Sequence, residues 1–344
     1  MTTADSASGF PPPPDRVELV PAPGIGEVTD GTDLTALVAA VPDLADGDVV
    51  LLTSKVVSKA EGRVVAGDRD AVVAQETVRP VARRGRTAIV ENHLGLVMAA
   101  AGVDASNVEP GRLVLLPLDP DRTARSIREG VLERTGRNVA VLVTDTAGRA
   151  WRHGQTDIAI GAAGIDPVFS LAGVRDAHGN ELAVTAPAVA DELAAAADLV
   201  AGKVGGRPLV VARGLAGLVH APGRHGPGAR ALLRGRGEDM FGLGSREAVL
   251  AAVRQHGAED FGAPASRDEL AEALSACGCA TGPTSDDEVV EVSAAGADEA
   301  ESVAVRLALA RVVAFAHGWE PAGDTRGDVG GPSAGGLSLR RRSS

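Results

Sequence analysis

Short continuous apolar runs alternate with stretches of helical period along most of this chain. Residues 48–53, Asp-Val-Val-Leu-Leu-Thr, form an apolar run of strand length and predict a buried strand. Residues 112–116, 139–143 and 208–212 predict three more. Helical period appears in residues 34–41, behind possible caps at Thr32 and Asp33, and in residues 122–134 between two of the strands. Residues 187–200 predict a further helix, with alanines on nearly every side. No internal repeat interrupts this alternation.

Mixed strands and helices are compatible with a doubly wound sheet, but the nucleotide signatures of such sheets are missing. No Gly-x4-Gly-Lys-Ser/Thr loop occurs, since Gly202-Lys203 is followed by Val204 and lacks the earlier glycine. Gly24-Ile25-Gly26 lacks the third glycine of a dinucleotide turn. A nucleotide would have to be held by another arrangement.

Charge divides the chain. Residues 1–258 are nearly balanced, whereas residues 259–301 carry twelve acids against the single base Arg267. This places a boundary near residue 255 and directs an anionic ligand to the body. Double-stranded DNA is a poor partner for a chain of net charge -12. Aromatics at 2% provide few platforms for single-stranded nucleic acid. Residues 1–15, with the proline run 11–14 and no apolar core, read as a disordered tail and not a signal peptide. Residues 322–344, rich in Gly and Ser, read as a second tail. The longest apolar stretches are too short for a membrane span. Cys277 and Cys279, one residue apart, are expected to be free thiols of a cytoplasmic protein.

Four segments could carry chemistry. Residues 53–63, at the exit of the first strand, place Lys55 and Lys59 one helical turn apart, which suits a polyphosphate or a solvated basic face. Residues 101–108 put Asp104 three positions before Asn107, as an Asx-type turn or as a metal and ligand contact. Residues 145–161 read Asp-Thr-Ala-Gly-Arg-Ala-Trp-Arg-His-Gly-Gln-Thr-Asp-Ile-Ala-Ile-Gly. Here Asp145 and Thr146 sit at a strand end before a glycine turn and two arginines. Asp145 and Asp157 could share divalent ions with Asp104, while Arg149 and Arg152 face phosphate or carboxylate. The alternative is a strand-to-loop turn with solvated charges. In the fourth segment, Asp191 and Glu192 open the alanine-rich helix, where acids complement the helix dipole.

Taken in order, these segments resemble the coenzyme F420:L-glutamate ligase family. The matching runs are residues 24–28, 46–63, 91–97, 101–108, 145–161, 173–176 with 179–182, and 189–203. The resemblance covers residues 16–250. It implies an α+β, two-lobed gamma-glutamyl ligase fold that forms an intertwined homodimer and uses GTP without a P-loop. The implied reaction adds L-glutamate to coenzyme F420-0, a deazaflavin phosphodiester, and then further γ-linked glutamates. It consumes GTP with two divalent cations, Mg or Mn, and with K⁺ often assisting. Carried over by position, Ile25, Gly26, Glu27 and Val28 match the first GTP-contacting segment, and Ser54, Lys59 and Asn107 match further nucleotide contacts. Asp104, Asp145 and Thr146 match metal ligands. Lys55, Arg149 and Arg152 are candidates to hold the reacting anionic oxygens.

Two departures stand out. The family's Leu-Pro pair reads Ile25-Gly26 here, and an acid expected just after Lys203 is replaced by Val204. The run from Arg230 to Gly244 resembles the junction of actinobacterial fused enzymes, in which an FMN-dependent nitroreductase-like domain follows. Too little chain remains here for such a domain, so residues 251–321 read as a small acidic appendage. The rival expectations are a bifunctional ligase and flavin-dependent reductase, or a non-catalytic nucleotide- or deazaflavin-binding protein.

Overall fold

The computed structural model describes residues 11–203, 205–294, 296, 300–322 and 336–343. The expected tail 1–15 therefore falls largely outside the described residues, as does Val204. Contacts divide the chain into two units, one of residues up to Pro80 with 89–233 and one of residues 81–88 with 234–344. The boundary thus falls after Leu233, earlier than the expected residue 250. The architecture is α+β, and the described residues form four sheets. Among the described residues, no helix is long and apolar enough to cross a membrane.

The first unit runs β1 (Glu18–Pro21), α1 (Leu34–Ala39), β2 (Val49–Thr53), α2 (Ser54–Ala60), β3 (Val64–Ala66), α3 (Arg69–Glu76), β4 (Thr77–Arg84), β5 (Thr87–Asn92), β6 (Val97–Ala99), β7 (Arg112–Val114), α4 (Pro120–Thr135), β8 (Ala140–Gly148), β9 (Gln155–Ala163), α5 (Val189–Ala201) and β10 (Leu209–Arg213). The tip of the β4–β5 hairpin is the part assigned to the second unit. The main sheet has the order β1-β10-β2-β8-β9. Only β2 and β8 run parallel in it, so the doubly wound alternative is not what forms.

Both faces of this sheet are covered, which is why β2 and β8 are apolar without alternation. Val50, Leu52, Val141 and Val143 pack with Ile127 and Val131 of α4 and Val38 of α1. Val49, Leu51 and Leu142 pack on the other side with Leu193 and Ala197 of α5. The alanines of α5 keep that layer thin. α4 is delimited by local chemistry. The Asp119 carboxylate caps it by accepting from the Arg122 amide, Pro120 occupies its first turn, and Gly136 ends it at φ +69°. Its start lies so close to β9 that a Cβ on Gly161 would come within 2.6 Å of the Pro120 carbonyl.

The second unit contains α6 (Ser245–Arg254), α7 (Arg267–Ala276), β11 (Cys279–Gly282), β12 (Val289–Ala294), α8 (Ala300–Ala316), β13 (Trp319–Pro321) and β14 (Gly336–Arg341). Its strands form an antiparallel sheet of order β11-β12-β14-β13. Ser266 and Glu269 form a capping box that starts α7. Trp319, Leu270, Leu274, Val290, Val292, Leu337 and Leu339 make the core. The expected tail 322–344 is corrected here, because residues 336–341 form an inner strand. Leu337 and Leu339 alternate inward from β14, and burying them outweighs the Gly and Ser content around them. The acidic appendage is likewise a mixed sheet-and-helix unit. Cys277 and Cys279 are free thiols.

Candidate functional site

The parallel register of β2 and β8 creates the site. Val49 pairs with Ala140 and Thr53 with Thr144, so the next residues, Ser54 and Asp145, emerge side by side. Ligands in open sheets collect beyond the carboxyl ends of such strands. Ser54 opens α2 and its hydroxyl donates to Asp145 Oδ1 at 2.5 Å. The chain does not turn at Asp145, as the sequence suggests, but continues in β8 to Gly148 and returns as β9. Continued pairing explains this, with a bulge between Val143 and Thr144 that sets Thr146 opposite Asp157. Thr146 Oγ1 donates to Asp157 Oδ1 at 2.6 Å, and Thr144 donates to Asp157 Oδ2 at 3.3 Å.

A second loop brings Asp104. Ala100, Ala101 and Gly102 all have left-handed φ of +52°, +55° and +79°. Two of these are alanines, so this turn stores strain just ahead of Asp104. Buried Asn92 supports it: Nδ2 donates to the Ala101 carbonyl, and Oδ1 accepts from the Leu94 and Leu96 amides. Asp104 then accepts from the Ser106 amide in an Asx turn and from Lys55 Nζ at 2.7 Å. Lys55 Nζ also reaches Ser106 Oγ at 2.6 Å. The Asx-type turn expected at Asp104 forms, and its carboxylate is also held by Lys55.

The electrostatics are uneven. Burial raises the Asp145 pKa most; Asp157 and Asp104 raise it further while Ser54 and Lys55 oppose them, and the carboxyl reaches about 6. Partial burial also pushes Asp104 up, but hydrogen bonds from Lys55 and Ser106 outweigh it and hold the group at about 2. Lys203, just past α5, donates to the Thr146 hydroxyl and lies 3.4 Å from Asp157 and 3.3 Å from Asp198. Desolvation lowers its pKa, yet those two carboxylates win and raise it.

The remaining expected residues divide. Lys59 pairs with Glu27 at 2.7 Å, which ties the 25–28 segment to α2. Val28 is buried and Ile25 packs against the same core, while Gly26 takes φ +74°. Asn107 is exposed in the Asp104 turn at φ +56°. Arg149 and Arg152 are not brought to the carboxylates. They sit exposed on the β8–β9 tip, where Arg149 donates to the His153 carbonyl and Trp151 is 84% exposed. Sequence reasoning missed Lys203, Ser106, Asp198 and Asn92. The alternation Thr156-Asp157-Ile158-Ala159-Ile160 was the available signal that Asp157 lies on a strand facing Thr146.

A small depression lined by Leu94, Leu96, Ile160 and Leu233 includes none of these carboxylates. The donor set of Asp104, Asp145, Asp157 and Thr146 is all hard oxygen, which suits Mg²⁺ or Mn²⁺. Among the described residues, no three acidic, His or Cys side chains are drawn together enough to enclose an ion as they stand. Lys55 and Lys203 hold the oxygens instead.

Comparison with known proteins identifies the family. The model of the family described as F420-0:gamma-glutamyl ligase matches residues 24–77 and 68–214, which include every residue of the oxygen cluster. The chain belongs to this family. It is 40% identical over 220 residues to the Coenzyme F420:L-glutamate ligase of Archaeoglobus fulgidus, covering 58% of this chain and 88% of that one. The protein of that name from Methanopyrus kandleri is 38% identical over 247 residues, covering 65% and 97%. That from Halorubrum lacusprofundi is 41% identical over 226 residues, covering 57% and 87%.

Proposed function

We propose that this chain adds L-glutamate to coenzyme F420-0, and γ-linked glutamates thereafter, in a GTP-dependent reaction carried out by a homodimer. The observation that carries this reading is the convergence of Asp104, Asp145 and Thr146 with Lys55 and Lys203 beyond the parallel ends of β2 and β8. The family and the names of the relatives supply the substrates. The reaction begins as the terminal carboxylate of the acceptor takes the γ-phosphoryl group, a bond to GDP breaking as the acyl phosphate bond forms. The amine of glutamate then attacks the activated carbonyl, phosphate leaves with the C–O electron pair, and the amine proton passes to solvent.

Asp104, Asp145 and Thr146 would hold two divalent cations, which when bound neutralise phosphate charge during phosphoryl transfer. Ser54 fixes the Asp145 carboxylate by its hydrogen bond. Lys59, oriented by Glu27, presents an ammonium beside the 25–28 segment for phosphate oxygens. Arg149 and Arg152, exposed on the hairpin tip, would meet anionic parts of the acceptor.

The test is incubation with GTP, Mn²⁺, L-glutamate and coenzyme F420-0, read by mass spectrometry. Glutamate-sized mass additions with stoichiometric GDP and phosphate are expected. Tight nucleotide or deazaflavin binding without product would replace the ligase with a binding protein.

A further inference from the structure

We propose that Lys55 and Lys203 are resident counter-ions of the oxygen cluster: each ammonium holds the ground of one divalent cation, and metal binding releases both lysines toward the nucleotide's phosphates. The inference rests on the metal-dependent reading above.

The two lysines arrive from different parts of the chain, one in the first turn of α2 and one beyond the end of α5. Each ends on a different half of the oxygen set. Lys55 Nζ lies 2.7 Å from Asp104 Oδ2. Lys203 Nζ sits on the Thr146 hydroxyl and 3.4 Å from Asp157 Oδ1. Mg²⁺ would take such oxygens at about 2.0–2.1 Å, using the lone pairs that the ammonium groups now occupy. A divalent ion on the same oxygen repels the ammonium and weakens its hold there.

Charge accounts for the device. Asp104, Asp145 and Asp157 bring three carboxyl groups to the corner beyond the ends of β2 and β8. Two ammonium groups offset part of the negative charge of this corner. Two divalent cations added to two lysines leave a surplus of positive charge. A triphosphate restores the balance, and the freed lysines are then within reach of it.

The local chain allows the exchange. Lys203 is half-exposed and lies between Gly202, at φ +66°, and the glycines 205 and 206. Lys55 is fixed in a helix and 23% exposed, so only its side chain needs to swing.

The experiment uses the full chain stripped of metal and titrated with Mn²⁺ alone, without nucleotide. Free Mn²⁺ is followed by electron paramagnetic resonance, and lysine acetylation is followed by peptide mass spectrometry. Acetylation of Lys55 and Lys203 is expected to rise several-fold at saturating Mn²⁺, with Lys59 on Glu27 as the unchanged reference. Lys203→Met is expected to bind Mn²⁺ on the order of tenfold more tightly than the parent chain, because a repelling charge is gone. Mn²⁺ binding with no change at either lysine, or equal or weaker binding by Lys203→Met, overturns the inference while leaving the metal site intact. No Mn²⁺ binding by the parent chain removes the metal-dependent reading and the inference with it.

Discussion

The two units bury different chemistry. Asp48, Ser54, Ser58, Asn92, Arg128, Thr144 and Asp157 are the buried polar residues among those described, and every one lies in the first unit. The second unit's core is apolar, built from Leu, Val, Ala and Cys around Trp319. Burying polar groups costs stability unless each finds a partner. The first unit accepts that cost at the ends of β2 and β8 and around the strained 100–102 turn. Among the described residues the core cluster of the second unit includes no such polar group, so its residues report on packing and the first unit's report on function.

Asp145→Asn is the strongest way to break this contrast. Turnover should fall by about a thousandfold or more, the scale of several kcal/mol of lost charge stabilisation. Melting should be unchanged or raised, because a buried carboxylate with an elevated pKa gives way to a neutral amide. Near-normal turnover in the purified variant would end the metal role of Asp145. Trp319→Ala is the counterpart in the second unit and should cost about 3–5 kcal/mol of its stability. Hydrogen exchange should then show lost protection in β12 and β14 while β2 and β8 keep theirs. Equal loss in all four strands would mean that the two cores melt as one.

Asn92→Ala tests the support behind Asp104 and should have an intermediate effect. It leaves the Leu94 and Leu96 amides without their side-chain acceptor, at about 1–3 kcal/mol. Urea melting measures that cost, and a rise in the Mn²⁺ concentration needed for half-maximal turnover measures the displaced Asp104. A stability loss without any change in metal requirement would make Asn92 a purely structural buttress.

Much of the first unit was legible because its central strands are continuous apolar runs and its helices have clear ends. Asp33 caps α1 as the sequence indicates, and α4 extends the expected helix by two residues at its start and one at its end. The Ser54–Asp145 and Lys55–Asp104 contacts were legible only as separate segments, since the parallel register that joins them is a tertiary fact. Lys203 was hidden for the same reason, 57 positions from Thr146 and noticed in the sequence only as a failed phosphate-loop motif. Gly148 and the arginines after it imitate a turn, which concealed the continuing β8–β9 hairpin. In β14 the Leu337 and Leu339 alternation is only six residues long, too short to outweigh the surrounding low-complexity composition.

The smallest expected effect sharpens the contrast at a single half-buried acid. Asp191 opens α5 and accepts from the Ala159 amide at 2.9 Å, capping the outer edge of β9. Burial raises its pKa, with that hydrogen bond opposing. A carboxyl whose folded pKa lies above its unfolded value stabilises the fold when protonated, and that contribution is lost as pH rises through the folded pKa. Asp191→Asn should therefore melt at or slightly above the parent temperature at pH 7, with the difference shrinking toward pH 4. The amide oxygen can still accept from Ala159, so the edge stays capped. A variant that is destabilised at pH 7 and normal at pH 4 would mean that the ionised carboxylate is held by a favourable partner, reversing the sign assigned to this site.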